Sequence, residues 1–323
     1  MRSNTKPMPR GPLQVRIVGV GSYLPARRIT NEEIASQIGG DPLWAHQRLG
    51  IKERRIAAGS ESTSDLATQA AERALATAKT STSDVGMVVL ATTTPDRQAP
   101  STACRVSQRL GIQHAPAFDV AAACSGFVYA LVTAAYYLHA GFRETALVIG
   151  ADTISRITDW SSRDCVYFGD GAGAVILKRS PTKEAVLFGE LAADPSGYDH
   201  FTVRPGQRYF SMNGGGVFDS AKQLVSELTQ STLASAGLVP DEIDHVIPHQ
   251  PSVNLLKAIS SEVGIPFHKF WLHMDRFGNT AAATVPIALD EATRSGTVRL
   301  GDWLLLAAAG AGMTSGVALY RWH

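Results

Sequence analysis

The chain has 323 residues, 45% hydrophobic and 18% charged, enough to bury a large core as one big domain or two fused halves. Its formal net charge of +1 and the lack of a long Lys/Arg block argue against nucleic acid or an anionic membrane surface as main partner, leaving room for a small acidic ligand met by a few local arginines. Three scattered cysteines, Cys104, Cys124 and Cys165, form neither a disulfide framework nor a zinc pattern and fit a reducing cytoplasm.

Residues 1–12 are basic and Pro-rich with neither an apolar core nor a cleavage site, and read as a disordered leader rather than a signal peptide. "SDLATQAAERALATAKTSTSDVGMVVLATTT" (Ser64 to Thr94) predicts a capped amphipathic helix, a polar turn and a β-branched strand. "VSQRLGIQHAPAFDVAAACSG" adds a helix, a Gly-Ile break, a strand and a small-residue turn holding Cys124, after which "FVYALVTAAYYLHAG" carries helical spacing to Gly141. The apolar strand "TALVIGAD" and the Gly-rich "FGDGAGAVILK" close this half. Because the glycines of "FGDGAGAV" precede a strand and not a helix, they predict a tight turn and not a phosphate loop.

The same order then recurs. "KQLVSELTQSTLASAGLVPDEIDHVIPHQ" (Lys222 to Gln250) repeats helix, turn and strand. "ISSEVGIPFHKFWLHMDRFGNT" repeats helix, break, strand and turn, ending in Gly278-Asn279-Thr280, and "WLLLAAAG" with "GAGMTSGVALYR" repeats the closing strands. The prediction is an α/β protein of two duplicated halves, residues 13–180 and 186–323, with sheets between layers of helices and with Cys124 and Asn279 at corresponding helix starts. The longest apolar runs, such as "WLLLAAAGAG" from Trp303, are about half the roughly 20 residues a membrane helix needs.

A cysteine at a helix N-terminus meets unpaired N–H groups and the helix dipole, which favour the nucleophilic thiolate. Cys104 and Cys165 read as buried filler. His249 lies where the strand "DHVIP" ends, in a loop position that suits a catalytic group, and Asn279 precedes a helix, where it could also be a plain cap. Cys, His and Asn together point to two chemistries. One is a papain-like protease, suited by a Cys-to-His spacing of about 130 residues but not by a cysteine deep in the chain without the C-G-S-C-W context. The other is decarboxylative Claisen condensation.

For the second, the chain resembles the β-ketoacyl-ACP synthase III family, of the thiolase fold, over nearly its whole length. The matching motifs are "GVGSYLP" (Gly19 to Pro25), "FDVAAACSGF", "FGDGAGAV", "PHQ" (Pro248 to Gln250) and "GNTAAATVPIALDE" (Gly278 to Glu291). The resemblance implies a five-layered αβαβα thiolase fold and a homodimer that uses a CoA thioester as substrate with no cofactor or metal. By motif, Cys124 takes the acyl group of an acyl-CoA, while His249 and Asn279 stabilise the enolate left when malonyl-ACP or malonyl-CoA loses carbon dioxide. The backbone N–H groups of Cys124 and Ala311 would form a second oxyanion site. Trp44, Arg48 and Arg163 match positions that hold the CoA nucleotide.

Departures from the family pattern bear on substrates. The usual "HQANLR" reads "HQPSVN", so Pro251, Ser252 and Asn254 stand at the tunnel and carrier contacts, and Asp219, Ser261 and Glu262 replace basic docking positions. Fewer positive charges should weaken association with an acidic acyl carrier protein. Ala99 replaces a Phe that reaches into the partner's acyl pocket, which enlarges that pocket, and the segment before "NGGGVF" is short, which leaves the tunnel mouth open or mobile. These features suggest a primer larger than acetyl in a specialised pathway; separately, "AAAGAGMTSG" and "TTTPD" resemble the branch that condenses a dicarboxylic acyl-CoA for biotin-precursor synthesis, which would make Arg156 a candidate carboxylate partner. A different class is an acyltransferase passing the acyl group from Cys124 to an alcohol or amine, but plain transfer needs only a base, and keeping both His249 and Asn279 favours condensation. A non-enzymatic binding protein would need none of the three groups.

Overall fold

The computed structural model describes residues 11–182 and 184–323, so the leader expected over 1–12 falls mostly outside the described residues. The first half runs β1 (Val15–Tyr23), then β2 (Arg27–Thr30) and β3 (Glu53–Ile56) enclosing α1 (Asn31–Ile38) and α2 (Pro42–Leu49). It continues with α3 (Thr63–Ala78), β4 (Met87–Ala91), α4 (Thr102–Leu110), β5 (Ala117–Val120), α5 (Gly126–His139), β6 (Thr145–Asp152) and β7 (Gly171–Arg179). The second half opens with β8 (Leu187–Ala193), the short hairpin β9 (Phe201–Thr202) and β10 (Ser211–Met212), and α6 (Gly214–Ala236). β11 (His245–Pro248), α7 (Val253–Val263), α8 (Met274–Phe277), α9 (Thr284–Arg294), β12 (Trp303–Gly310) and β13 (Thr314–Arg321) complete it.

The first sheet has the order β1-β7-β6-β4-β5 and the second β11-β12-β13-β8. Taken from its other end, β8-β13-β12-β11 repeats β1-β7-β6-β4 in order and in direction, two antiparallel pairings and then a parallel one. The fifth strand expected from "PFHKFWLH" does not form. Pro266 and the 3-10 turn Phe267–Lys269 occupy its residues, leaving a single parallel bridge from Phe270 to Val246.

β4 and β6 are buried at every position, as strands covered on both faces must be. α3 and α4 cover the outer face of the first sheet, and α6, with α7 beside it, covers the second. α5 and α9 lie between the sheets: α5 touches β4 and β6 on one side and β12 and β13 on the other. That position explains why α5 is apolar around its circumference, with Phe127 and Leu131 fully enclosed. Burying such a side chain is worth about 1.5–3 kcal/mol. The result is the five-layered αβαβα arrangement of two duplicated halves.

The "FGDGAGAV" glycines lead into β7 as expected. The "NGGGVF" glycines do not form an open loop. They are the first turn of α6, capped by Asn213, whose Oδ1 accepts the Gly216 N–H at 3.1 Å. Among the described residues no helix is long and apolar enough to cross a membrane.

Candidate active site

After β5 the chain reverses through Ala122 and Ala123 into a 3-10 turn, Ala123–Ser125, that feeds α5 and holds Cys124. Ala123 has φ 46°, a left-handed conformation that costs a non-glycine residue about 1–3 kcal/mol. Side chains brace the turn: Ser125 Oγ donates to the Ala122 carbonyl at 2.8 Å, and Thr314 Oγ1 donates to the same carbonyl at 3.2 Å. Gly310 at the end of β12 lies against it, and a Cβ there would stand 2.8 Å from Ser125 N and 3.0 Å from Cys124 N.

The second half repeats the device. Ala281, at φ 50°, opens the 3-10 turn Ala281–Ala283 that feeds α9. The residue in register with Cys124 is therefore Ala282, and Asn279 stands three residues earlier, not at the matching helix start. Asn279 is held by its backbone, its N–H donating to the Tyr167 carbonyl at 2.9 Å and its carbonyl accepting Gly169 N–H at 3.1 Å.

His249 follows β11, and its N–H donates to the Ala307 carbonyl at 2.8 Å. Gln250, fully buried, ties this loop to the segment leading to Asn279. Its amide donates to the Trp271 carbonyl at 3.0 Å, and its Oε1 accepts the N–H groups of His273 and Met274 at 2.8 and 3.0 Å. The "PHQ" motif gave the residue, but its role depends on contacts too distant in sequence to read.

These elements bring Cys124, His249 and Asn279 to one cavity of about 270 Å³. Asn279 Oδ1 accepts the Ala281 N–H at 2.9 Å and lies 3.0 Å from His249 Nε2. The backbone donor settles which end of the amide faces which way, so His249 Nε2 carries the proton and donates, and the Asn279 amide hydrogen-bonds the Cys124 thiol.

The expected thiolate is not the resting state. Burial, and secondly the nearby Asp152 carboxylate, push the Cys124 thiol up to about 12 against the opposing pull of the Asn279 hydrogen bond. Ile154, Phe168 and Ala281 pack against the partly buried Cys124, and their apolar surroundings outweigh the helix terminus. Burial also drives His249 down to about 4, so the imidazole is neutral.

Trp44 and Arg48 line the outer part of the cavity, and the Arg163 guanidinium stacks 3.8 Å over the Trp44 ring. Asn254 lines it from α7, and Ser252 caps that helix by accepting the Leu255 N–H at 3.2 Å. Ala311 also lines the cavity, and its N–H has no protein acceptor among the described residues. Two expected residues are elsewhere. Ala99 is exposed outside the cavity of its own chain, and Arg156 is exposed and donates to the Glu61 carbonyl. Cys165 is buried as expected, whereas Cys104 is exposed on α4. A residue the motifs passed over is Asp152, fully buried behind the site.

Two duplicated α/β halves with a cavity opening on Cys124, His249 and Asn279 define a protein of the thiolase fold. The C-terminal model of 3-oxoacyl-[acyl-carrier-protein] synthase III matches residues 233–322, and the companion model of the same synthase matches residues 118–195. The chain is 43% identical over 318 residues to the β-ketoacyl-[acyl-carrier-protein] synthase III of Neisseria gonorrhoeae, covering 95% of this chain and 99% of that one. The crystal structure of 3-oxoacyl-[acyl-carrier-protein] synthase III from Aquifex aeolicus superposes with TM-score 0.93 at 40% identity, covering 95% of this chain and 100% of that one. The Pseudomonas aeruginosa synthase III superposes with TM-score 0.91 at 36% identity, covering 96% and 98%. The chain belongs to the β-ketoacyl-ACP synthase III family and is an acyl-transferring condensing enzyme.

Proposed function

We propose that the protein starts acyl chains in the cytoplasm by joining an acyl group from acyl-CoA to a malonyl thioester through an acyl-Cys124 intermediate. The observation that carries this reading is the pair of neutral donors, His249 and Asn279, beside a half-buried thiol that lines the cavity. Such donors stabilise an oxyanion without supplying a ready proton to quench a carbanion.

In the first step the Cys124 sulfur attacks the acyl-CoA carbonyl, the C–S bond to CoA breaks, and the thiol proton leaves with the CoA sulfur as CoA-SH. The N–H groups of Cys124 and Ala311 hold the carbonyl oxygen, and the unshared Ala311 N–H supports that role. In the second step a malonyl thioester loses carbon dioxide. The His249 Nε2–H and the Asn279 amide then take the enolate oxygen, and the carbanion attacks the acyl-cysteine carbonyl to release the β-ketoacyl thioester and a thiolate that regains its proton from water. A CoA thioester is the substrate, and no cofactor enters the scheme.

Trp44 with Arg163 provides a flat slot for the purine, with Arg48 beside it for the diphosphate. Arg163 now fills that slot and must swing aside for the nucleotide. Malonyl-ACP is the extender we favour, with weak carrier docking: Asp219, Asn254 and Ser261 carry no positive charge, and Lys222 is paired with Glu262 at 3.1 Å. β5 is an edge strand whose Phe118 and Val120 are partly exposed, which supports a homodimer formed through that edge. Ala99 then faces the partner's acyl pocket. The halves 13–180 and 186–323 are taken as the duplicated units, with Leu13 bridging to Leu187 where they join. Arg156, turned to Glu61, offers no support for a dicarboxylic primer.

The test is intact mass after exposure to acetyl- through octanoyl- and glutaryl-CoA, beside Cys124→Ala, followed by carbon dioxide release from malonyl thioesters. An adduct absent from the variant, chased by release of carbon dioxide, is the expected result. An adduct that passes to an alcohol or amine without such release would replace condensation by simple transfer, and no adduct at all would remove the first step.

A further inference from the structure

We propose that Asp152 is a positioning residue for the condensation, fixing the turn that aims Asn279 at the reacting centre. The proposal rests on the reading of Cys124 as nucleophile and Asn279 as enolate donor. Asp152 ends β6 and is fully buried, and the donors that reach its carboxylate are neutral. Oδ1 accepts Thr92 Oγ1 at 3.1 Å, Thr93 N–H at 2.7 Å, Thr94 N–H at 3.1 Å and Thr94 Oγ1 at 2.9 Å. Oδ2 accepts the Ala282 N–H at 3.0 Å. One oxygen thus holds the first half, where Thr93 lines the cavity, and the other holds the turn of the second half.

The geometry gives that single bond to Ala282 its importance. Consecutive amides of one strained turn are divided between two side chains: Ala281 N–H goes to Asn279 Oδ1 and Ala282 N–H to Asp152 Oδ2. Ala281 holds φ 50°, which persists only where its surroundings over-determine it. Gly150, two residues before Asp152, admits the Ala282 carbonyl against β6, since a Cβ there would clash with it. Release of the Ala282 amide frees Ala281 to relax, and with it the backbone donor that orients the Asn279 amide toward Cys124 and His249. An unpaired buried carboxylate is costly to the fold, so it is an expensive way to pin a turn if pinning alone were needed. Its charge also acts on the thiol, and His249, Tyr167 and Arg48 are the other titratable groups lining the cavity with Cys124. Asp152 contributes there to keeping Cys124 protonated until a thioester arrives.

The test compares the full-length enzyme with Asp152→Asn, nearly the same shape without the charge. Acyl-adduct formation, carbon dioxide release from malonyl thioester by the acylated enzyme, melting temperature, and the pH dependence of Cys124 alkylation by iodoacetamide, read on the Cys124 peptide, are all recorded. The expected result is a condensation rate lowered about 10–100-fold with a smaller effect on acylation, and an alkylation profile displaced to lower pH because a like charge beside the thiolate is gone. A merely structural residue would lower the melting temperature and slow both steps alike; that outcome, or a condensation rate unchanged relative to acylation, overturns the proposal. Should Asp152→Asn not fold, Thr94→Val removes one hydroxyl donor and keeps the charge. It should lower condensation relative to acylation by a few-fold, and unchanged rates overturn the proposal equally. If the wild-type enzyme forms no Cys124 adduct, the underlying reading fails first and the proposal falls with it.

Discussion

His249 Nε2 lies 3.0 Å from Asn279 Oδ1, and that oxygen also accepts the Ala281 N–H at 2.9 Å. The backbone donor makes the relationship one-way, with histidine donating and asparagine accepting, so the amide N–H₂ is left for Cys124 or a substrate oxygen. Asn279→Ala removes that donor and unties His249. We expect carbon dioxide release to fall about 10²–10³-fold, the usual loss for one oxyanion donor, with acylation changed only a few-fold, as single-turnover assays of the two steps would measure. Equal losses in both steps would mean that Asn279 serves the thiol and not the enolate.

The thiol of Cys124 stands at about 12, raised first by burial and then by Asp152. Alkylation by iodoacetamide at the Cys124 peptide should be slow at neutral pH and keep climbing through pH 10 without a plateau. A plateau near pH 7 at the Cys124 peptide would restore the helix-terminus thiolate that its place in the sequence suggests.

Much of this arrangement is legible in the sequence, and the places where it is not have identifiable causes. The duplication shows because each half repeats helix, strand and small-residue turn, patterns set by local periodicity. The lost fifth strand is also local, but Pro266 hides it in a run of aromatic residues that otherwise reads as a strand. The protonation of Cys124 is not local. The helix start is visible in "CSGF", but the apolar packing of Ile154, Phe168 and Ala281 that overrides it comes from residues far along the chain. The roles of Gln250 and Asp152 depend in the same way on partners such as Trp271, Met274 and Ala282 that only the folded chain assembles.

His249 is held neutral to about 4, below the ordinary imidazole value near 6.5, because burial penalises the charged form. A folded-state value below the unfolded one means that the unfolded chain binds the extra proton first. The contribution is therefore whole above about pH 6.5 and is lost as pH falls through 4. Asp152, raised to about 6 by burial, has the opposite sign, its contribution present below the unfolded value and lost as pH rises through 6. Acid melting curves of wild type and His249→Gln should accordingly converge between pH 6.5 and 4, the variant losing less stability over that range. Parallel curves would mean that the imidazole is already charged in the native state.

Arg163 stacks 3.8 Å above Trp44 at the outer end of the cavity. An exposed cation–π pair is worth about 0.5–1 kcal/mol, and a desolvated one sandwiching a purine about 2 or more. Trp44→Ala should raise KM for acyl-CoA about 3–30-fold and leave the acyl-pantetheine reaction, which has no nucleotide, unchanged. If both substrates suffer alike, Trp44 shapes the tunnel and does not bind the nucleotide.

Gly310 is the position where the smallest change should do the most harm. A Cβ on it would point at the Ala122 carbonyl, Ser125 N and Cys124 N, the last two at 2.8 and 3.0 Å, and all are backbone atoms that cannot rotate away. The turn they belong to is already strained at Ala123 and braced by Ser125 and Thr314, so relief on that side displaces Cys124. Gly310→Ala should cost about 1–3 kcal/mol of stability by overpacking and reduce acylation more than 10²-fold, since a shift near 1 Å at a reacting atom has that effect. Ala311→Gly, one residue on, keeps the backbone donor and adds no atom, so its acylation rate should stay within a few-fold of wild type. A Gly310→Ala enzyme that acylates normally would show that the Cys124 turn has slack which its packing does not suggest.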